Sequence, residues 1–516
     1  MGAAAQATGA VGRRQRYLDL ATELACRPPR SGLPSFPHAV AHIRIADVAR
    51  TVGVTRSAVY RHWSTQEEFW ADLTAYLASG GESAWLRTLV RTGDAVVADG
   101  TGEAARRALN RIQEELLADH QTAVRAALVA YPDVGPARER VAESERRLVA
   151  HVAGLVDRLR AARGCRFADG VTATDVALVL TALGEGFALV ARVAPRALAR
   201  TPVDGDGGGD RGAGGAGSAA AEPAEAGTGT GVGPAEARAG LGAEERPWLP
   251  LAFAARAVLV GLTAPPAGAQ AAGDSVPGAD ALDAPGAGAT APARRSGAGA
   301  NGSPAGDRRR DYLRAAARLA RTHTPGAGDD PVPVLGHVTL AGLARETGDD
   351  RRRLYELWPS QSEFRLDLLT HLVARTCREL GDLLEPQGAG PVLPVADRLF
   401  AWLRGTEWLP AAFAFAPVAG RRAVHERARR AADTGRQALA SSLARLVAAA
   451  GRRMRPGVSL DQLTLLVLAL VAGAVRTLRT NPALWRTDVR RGGAEHTLFG
   501  LAVAALIEAT THPSLA

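Results

Sequence analysis

The same long stretch of sequence occurs twice in this chain, and that repeat constrains its fold more than any other feature. Arg16 to Leu77 aligns without a gap with Asp311 to Leu372, at an offset of 295 residues. Between His42 and Leu77, 14 of 36 positions are identical to their counterparts, where roughly a tenth is expected by chance in so biased a composition. Further on the offset drifts, but Asp175 to Pro195 still matches Asp461 to Pro482 in pattern. Each half therefore reads as one complete module of about seven to nine helices. Apolar residues recur at spacings of three and four, and few stretches alternate with period two, so the expected class is all-α.

Composition then divides the 516 residues. Residues 203–246 and 265–306 are dominated by Gly, Ala, Pro and Ser, with too few large apolar side chains to offset the entropy of ordering. Between them, Trp248 to Pro266 reads as an apolar helix. The expected domains are a first helix-turn-helix unit at 13–78 and a first C-terminal helical domain at 79–264 with a flexible insertion at 203–246. A flexible linker at 265–306, a second unit at 307–373 and a second C-terminal domain at 374–516 complete the series.

The chain has no lysine, so all 62 of its cationic residues are arginine, and its formal net charge is +9. Such a charge suits a polyanion partner, although a solvated basic surface fits it equally well. Cys26, Cys165 and Cys377 stand far apart, so neither a disulfide framework nor a zinc site is readable and no metal or other cofactor is expected. The N-terminus lacks the order of a signal peptide, and the longest apolar run, Leu463 to Val475, is too short to span a bilayer. The expectation is a soluble cytoplasmic protein without a membrane partner.

The repeated segment carries a recognisable device. Ile45, Val48, Ala49 and Val52 form one apolar stripe on a short helix, and Gly53 is placed to end it in a left-handed turn. Thr55 is a natural N-cap for a second helix whose Val59 and Trp63 face the core. Arg56, Ser57, Tyr60, Arg61 and His62 are left on or near the outer face, with no acidic residue among them. Donors for phosphate oxygens on a narrow helix are what reading a major groove requires. A helical hairpin with a solvated face is the competing reading of the spacing alone.

A preceding helix from Arg14 to Cys26, the "YRHW" ending at Tyr60 to Trp63 and the following "EEFWADLTAYL" extend the pattern. Together these residues resemble the N-terminal domain of the TetR/AcrR family of transcriptional regulators, with Val48, Ala49, Gly53, Val54, Thr55, Val59, Tyr60, His62, Trp63 and Phe69 in matching places. The resemblance implies a DNA-binding regulator of the repressor type. It assigns Thr55, Arg56, Ser57, Tyr60 and His62 to double-stranded DNA, Tyr60 and His62 to phosphates, with Arg44 and Arg61 beside them. Two positions depart from the family: the lysine after the recognition helix is Gln66, and the threonine cap of the preceding helix is Arg44. The loop from Arg27 to His42 is also longer than usual.

The second copy keeps Thr339, Ala344, Gly348, Leu354, Tyr355, Trp358 and Phe364, but Asp349, Asp350 and Leu357 replace Val54, Thr55 and His62. Asp350 can still cap a helix, while both carboxylates stand where phosphates would approach. Arg351, Arg352, Arg353 and Tyr355 are this copy's candidate DNA contacts. Arg13 to Gln66 carries nine arginines and three acids, whereas Arg308 to Gln361 carries ten and seven. The second reader is electrostatically weaker, either retuned or decayed.

The resemblance further implies C-terminal helices that pair into a four-helix bundle and enclose a small-molecule effector. Candidates for the bundle are Asp175 to Val193, Leu249 to Thr263, Asp461 to Leu478 and His496 to Thr510, with Gly184, Gly186 and Gly473 permitting close approach. Trp85, Tyr131, Trp402, Trp408, Phe413 and Phe415 could line an effector pocket, though most such aromatics are core, so no ligand residue is named. Glu185 reads as a lone helix polar group, and no catalytic constellation argues for an enzyme. With both readers and both bundle faces on one chain, an intramolecular pseudodimer is expected, with a homodimer as the alternative. The competing function is a helical interaction or scaffold protein that has lost operator binding.

Overall fold

A computed structural model describes residues 2–26, 43–79, 88, 91–93, 102–118, 135–193, 249–264, 304–322, 338–385, 392–405, 422–491 and 493–513. The expected flexible insertion, the interdomain linker apart from 304–306, the 27–42 loop, and Trp85, Tyr131, Trp408, Phe413 and Phe415 lie outside these residues.

The fold is mostly helical. In the first half, α1 (Gly2–Cys26), α2 (Ile45–Val52), α3 (Arg56–Tyr60) and α4 (Gln66–Ser79) are followed by α5 (Gly102–Ala118), α6 (Gly135–Arg163), α7 (Ala173–Val193) and α8 (Pro250–Gly261). The second half has α9 (Pro304–Thr322), α10 (Leu340–Thr347), α11 (Arg351–Leu357), α12 (Gln361–Leu383) and α13 (Val392–Gly405), then α14 (Arg422–Ala449), α15 (Leu460–Thr480) and α16 (Leu498–Thr510). α1 begins twelve residues before the expected Arg14. α12 runs through the expected boundary at 373, because no glycine or proline interrupts it before Gly381 and Leu372 and Leu380 keep its inner face buried.

Short strands escaped the sequence reading. β1 (Arg166–Phe167) pairs antiparallel with β2 (Thr263–Ala264), and β3 (Arg452–Met454) pairs with β6 (Thr511–Pro513), so each half closes the segment after one long helix against the segment after its last helix. β4 (Val489–Arg491) and β5 (Ala494–His496) form a hairpin, turning at Gly493 with φ 82°, between α15 and α16.

The two halves pack together through α7, α8, α15 and α16, each of which touches the other three. At the crossing of α7 and α15, a Cβ on Gly186 would overlap the Ala469 carbonyl oxygen, and one on Gly473 would overlap that of Ala182. Ala182 and Gly186 match Ala469 and Gly473 at an offset of 287, so the crossing is reciprocal, like that of a twofold dimer. Gly184 is not part of it: its nearest neighbour is Leu116 Cδ2 at 4.0 Å. The same offset matches the left-handed Gly164 and Gly170 with Gly451 and Gly457. It also matches the Thr172–Asp175 cap of α7 with the Ser459–Gln462 capping box of α15. Asp175 therefore corresponds to Gln462, one place beyond the partner that the sequence pattern suggests.

α15 corrects the apolar-run reading. Leu460–Leu478 is 19 residues long and, among the described residues, the one helix long and apolar enough to cross a membrane; 83% of its most apolar window is buried inside the protein. Its apolar surface is covered by α7 and the helices beside it.

Candidate nucleic-acid interface

Each helix-turn-helix unit is built on the same core. Tyr17, Leu18, Ala21, Ile43, Ile45, Val48, Ala49, Val59, Trp63, Phe69, Leu73 and Leu77 are buried together, and each has a buried counterpart 295 residues later, from Tyr312 to Leu372. Trp63 is fully buried, edge-on to Phe69 at 5.1 Å, and Trp358 meets Phe364 at 5.2 Å. Burying an indole N–H requires an acceptor. Trp63 Nε1 donates to Asp72 Oδ2 at 2.9 Å, and Arg14 both bonds that carboxylate and lies 5.5 Å over the Trp63 ring. Arg309, Trp358 and Asp367 repeat the arrangement. The base of each unit is thus held by a tryptophan, a carboxylate and an arginine that also ties α1 to α4, or α9 to α12.

The turn follows the sequence reading. Gly53 and Gly348 adopt φ of 75° and 70°, values that favour glycine. Thr55 Oγ1 accepts the Ala58 N–H at 3.3 Å, and Asp350 Oδ1 accepts the Arg352 N–H at 3.0 Å. Arg44 makes no side-chain cap on α2, whereas Thr339 caps α10 through the Gly342 N–H at 3.0 Å.

Gln66 has a structural task that the sequence did not reveal. Its Oε1 accepts the Ile45 N–H at 2.9 Å and its Nε2 donates to the Ile43 carbonyl at 3.1 Å, so it caps α2 from the start of α4. Gln361 does the same for Leu340 and Val338 at 3.0 and 2.9 Å. Identity of Gln66 with Gln361, Asp72 with Asp367 and Arg14 with Arg309 was the available clue.

On the outer face of the first unit, Arg44, Thr55, Arg56, Ser57, Tyr60 and Arg61 are exposed, Tyr60 by 41%. Neither Arg56 nor Arg61 makes an ion pair among the described residues. His62 departs from this set. It is half-buried, edge-on to Tyr17 at 5.4 Å, and burial followed by the charges of Arg13, Arg14 and Arg61 holds its imidazole below the ordinary histidine range.

The second unit's Arg351, Arg352, Arg353 and Tyr355 are also exposed. Two of its arginines, however, are engaged on their own helix: Arg353 Nη1 lies 3.3 Å from Asp349 Oδ1, and Arg352 Nε lies 3.9 Å from Glu356 Oε1. Asp349 is not an isolated carboxylate facing solvent. Its Oδ2 accepts the Tyr312 hydroxyl at 2.8 Å, in a place where the first unit pairs Tyr17 with His62 instead.

Outside the two helix-turn-helix units, Trp402 Nε1 donates to Glu379 Oε2 at 3.3 Å and packs against the core. Burial pushes the Cys377 thiol up to about 11, which favours the protonated thiol at neutral pH. Comparison with models of known protein families and with curated proteins returns no match.

Proposed function

We propose that the chain is a cytoplasmic DNA-binding transcriptional regulator of the TetR type, acting as a repressor, in which the first helix-turn-helix unit makes the dominant contact with DNA. One observation carries the reading: Arg56, Ser57, Tyr60 and Arg61 are exposed together around one short helix, with no Asp or Glu from Val48 to Gln66. Such a face offers donors to phosphates and base edges without a repelling charge. The second unit contributes less, since two of its three clustered arginines are paired with acids. Packing of α7 and α8 on α15 and α16 supports a pseudodimer within one chain, which would favour an asymmetric site over a perfect palindrome.

The test is binding to a pool of random duplex fragments, followed by titration of the selected sequence from 50 to 200 mM salt. Arg56→Ala and Tyr60→Ala should each weaken binding by about 5- to 150-fold. Wild-type affinity in both folded variants would refute the assignment. The internal pairing of Arg352 and Arg353 favours a second reading, an interaction protein on the same fold, and absence of DNA binding by the wild type at every salt concentration would select it.

A further inference from the structure

We infer that pairing between the halves is heterospecific: a first half is built to take a second half and to reject its own kind, with the buried Glu185–Arg476 ion pair as the discriminating contact.

The shape of the crossing does not discriminate. Ala182 and Gly186 on α7 are repeated as Ala469 and Gly473 on α15, so two first halves, or two second halves, could cross in the same way. The charges do discriminate. Glu185 and Arg476 are each 5% exposed and pair across the crossing. At the matching positions of the opposite halves, the sequence has Ala472 for Glu185 and Leu189 for Arg476. Two first halves would therefore bury two carboxylates opposite leucine positions, and two second halves would bury two guanidinium groups opposite alanines. An uncompensated buried charge is strongly destabilising, so each like pairing is penalised twice.

Other polar contacts across the halves are equally one-sided. Asn481 donates to Glu145 Oε2 at 2.7 Å and to the Ala142 carbonyl at 3.1 Å, and it accepts from Arg146 at 2.8 Å. The residues matching Glu145 and Arg146 are Ala432 and Asp433, and the residue matching Asn481 is Ala194, so no like pairing recreates this set. Arg486 reaches Asp175 Oδ2 at 3.1 Å and the Gly170 carbonyl at 2.8 Å. The partner this surface fits is accordingly a second half carrying Arg476, from the same chain or from another copy. This inference rests on the packing of the halves and is independent of DNA binding.

The test uses full-length chains with two different affinity tags. Glu185→Arg sets two cations against each other within one chain, and Arg476→Glu sets two anions. Each variant alone should melt about 10 °C below the wild type. Co-expressed, the two variants can pair correctly only by exchange. The arginine introduced at position 185 of one chain then meets the glutamate introduced at position 476 of the other, and the unaltered Glu185 meets the unaltered Arg476. Purification through both tags should then recover a species of twice the 53.6 kDa chain mass, in greater yield than from co-expressed wild-type chains, which can also close on themselves. Recovery no greater than that of the wild type would overturn the inference. The double variant Glu185→Arg with Arg476→Glu in one chain guards against simple misfolding. It should melt within a few degrees of the wild type as a single chain, and a melt no higher than that of the single variants would equally overturn it.

Discussion

Replacing Asp349 by Val and Asp350 by Thr would give the second unit the first unit's letters at the start of its helix. From 349 to 357 three arginines face Asp349, Asp350 and Glu356, net zero, whereas from 54 to 62 Arg56 and Arg61 face no acid, net +2. The double change raises the second segment to +2 and releases Arg353 from Asp349. If two further phosphates are neutralised, the logarithmic salt slope steepens by about 1.8, or about 12-fold in affinity between 200 and 50 mM salt. Stability moves the other way. Asp349 accepts the hydroxyl of Tyr312, which is 7% exposed, and its removal strands a nearly buried donor. A hydrogen bond to a charged group contributes about 1.5–3 kcal/mol, but the Asp349 side chain is 30% exposed, which reduces the loss to about 1 kcal/mol. A valine at 349 could pack as Val54 does against the first unit's core, but the loss of the Tyr312 bond sets the direction. The threonine introduced at position 350 retains a capping oxygen, as Thr55 does for Ala58. Anisotropy titrations of a non-specific duplex at several salt concentrations, with thermal melts of the same variant, measure both quantities. A variant that melts higher and binds with an unchanged slope would refute the reasoning on both counts.

Gly186→Ala should destabilise the pairing of the halves by about 1–3 kcal/mol or more in urea denaturation, because its Cβ meets the backbone of Ala469 and Gly473. Gly184→Ala, two residues away with nothing closer than 4.0 Å, should instead stabilise by up to about 1 kcal/mol through helix propensity. His62→Leu should make the melting temperature less sensitive to acid. The folded pKa of His62 is lowered, so the unfolded chain binds more protons and stability falls as pH drops below about 6.5, a contribution that the variant lacks. His371, also lowered by burial and nearby arginines, leaves a residual dependence in both proteins. Gln66→Ala should cost about 1–2 kcal/mol by uncapping α2, and Arg44→Thr should return about 1 kcal/mol, with circular dichroism melts of the single and double variants as the check.

Within a unit, the sequence was highly legible. Apolar periodicity identified Ile45, Val48, Val59 and Trp63 as core, and turn chemistry identified Gly53, Thr55 and Asp350, because each of those properties depends on residues within a few positions. Gln66 and Asp72 were not legible from local pattern: their partners lie from 9 to 58 residues away, and a polar side chain at a helix start is the same letter whether it is solvated or capping another helix. The paired strands were missed for a related reason. Two or three residues carry too little alternation to register, and β1 finds its partner only after the chain has passed through the whole of α7 and α8.

Compared letter by letter, the second half resembles a worn copy of the first, and packing gives part of that divergence a physical meaning. Glu185, taken within its own helix, is an isolated acid in an apolar stretch, and Arg476 is an isolated base in another; opposed, they form one contact that neither half could make with itself. The connection from reader to bundle has diverged as well. The offset between the halves changes from 295 at Leu77 to 287 at Gly135, so the second half spans this interval in eight fewer residues. Among the described residues, the second unit's buried core is continuous with that of the C-terminal helices, while the first unit's α4 packs on α6 with a core cluster of its own. A homodimer must hold its two readers identically, and any change in one is copied into the other. Once both units share a chain that constraint is gone, and charge and interface can each differ on one side only, as Asp349 against Val54 and Arg476 against Leu189 do.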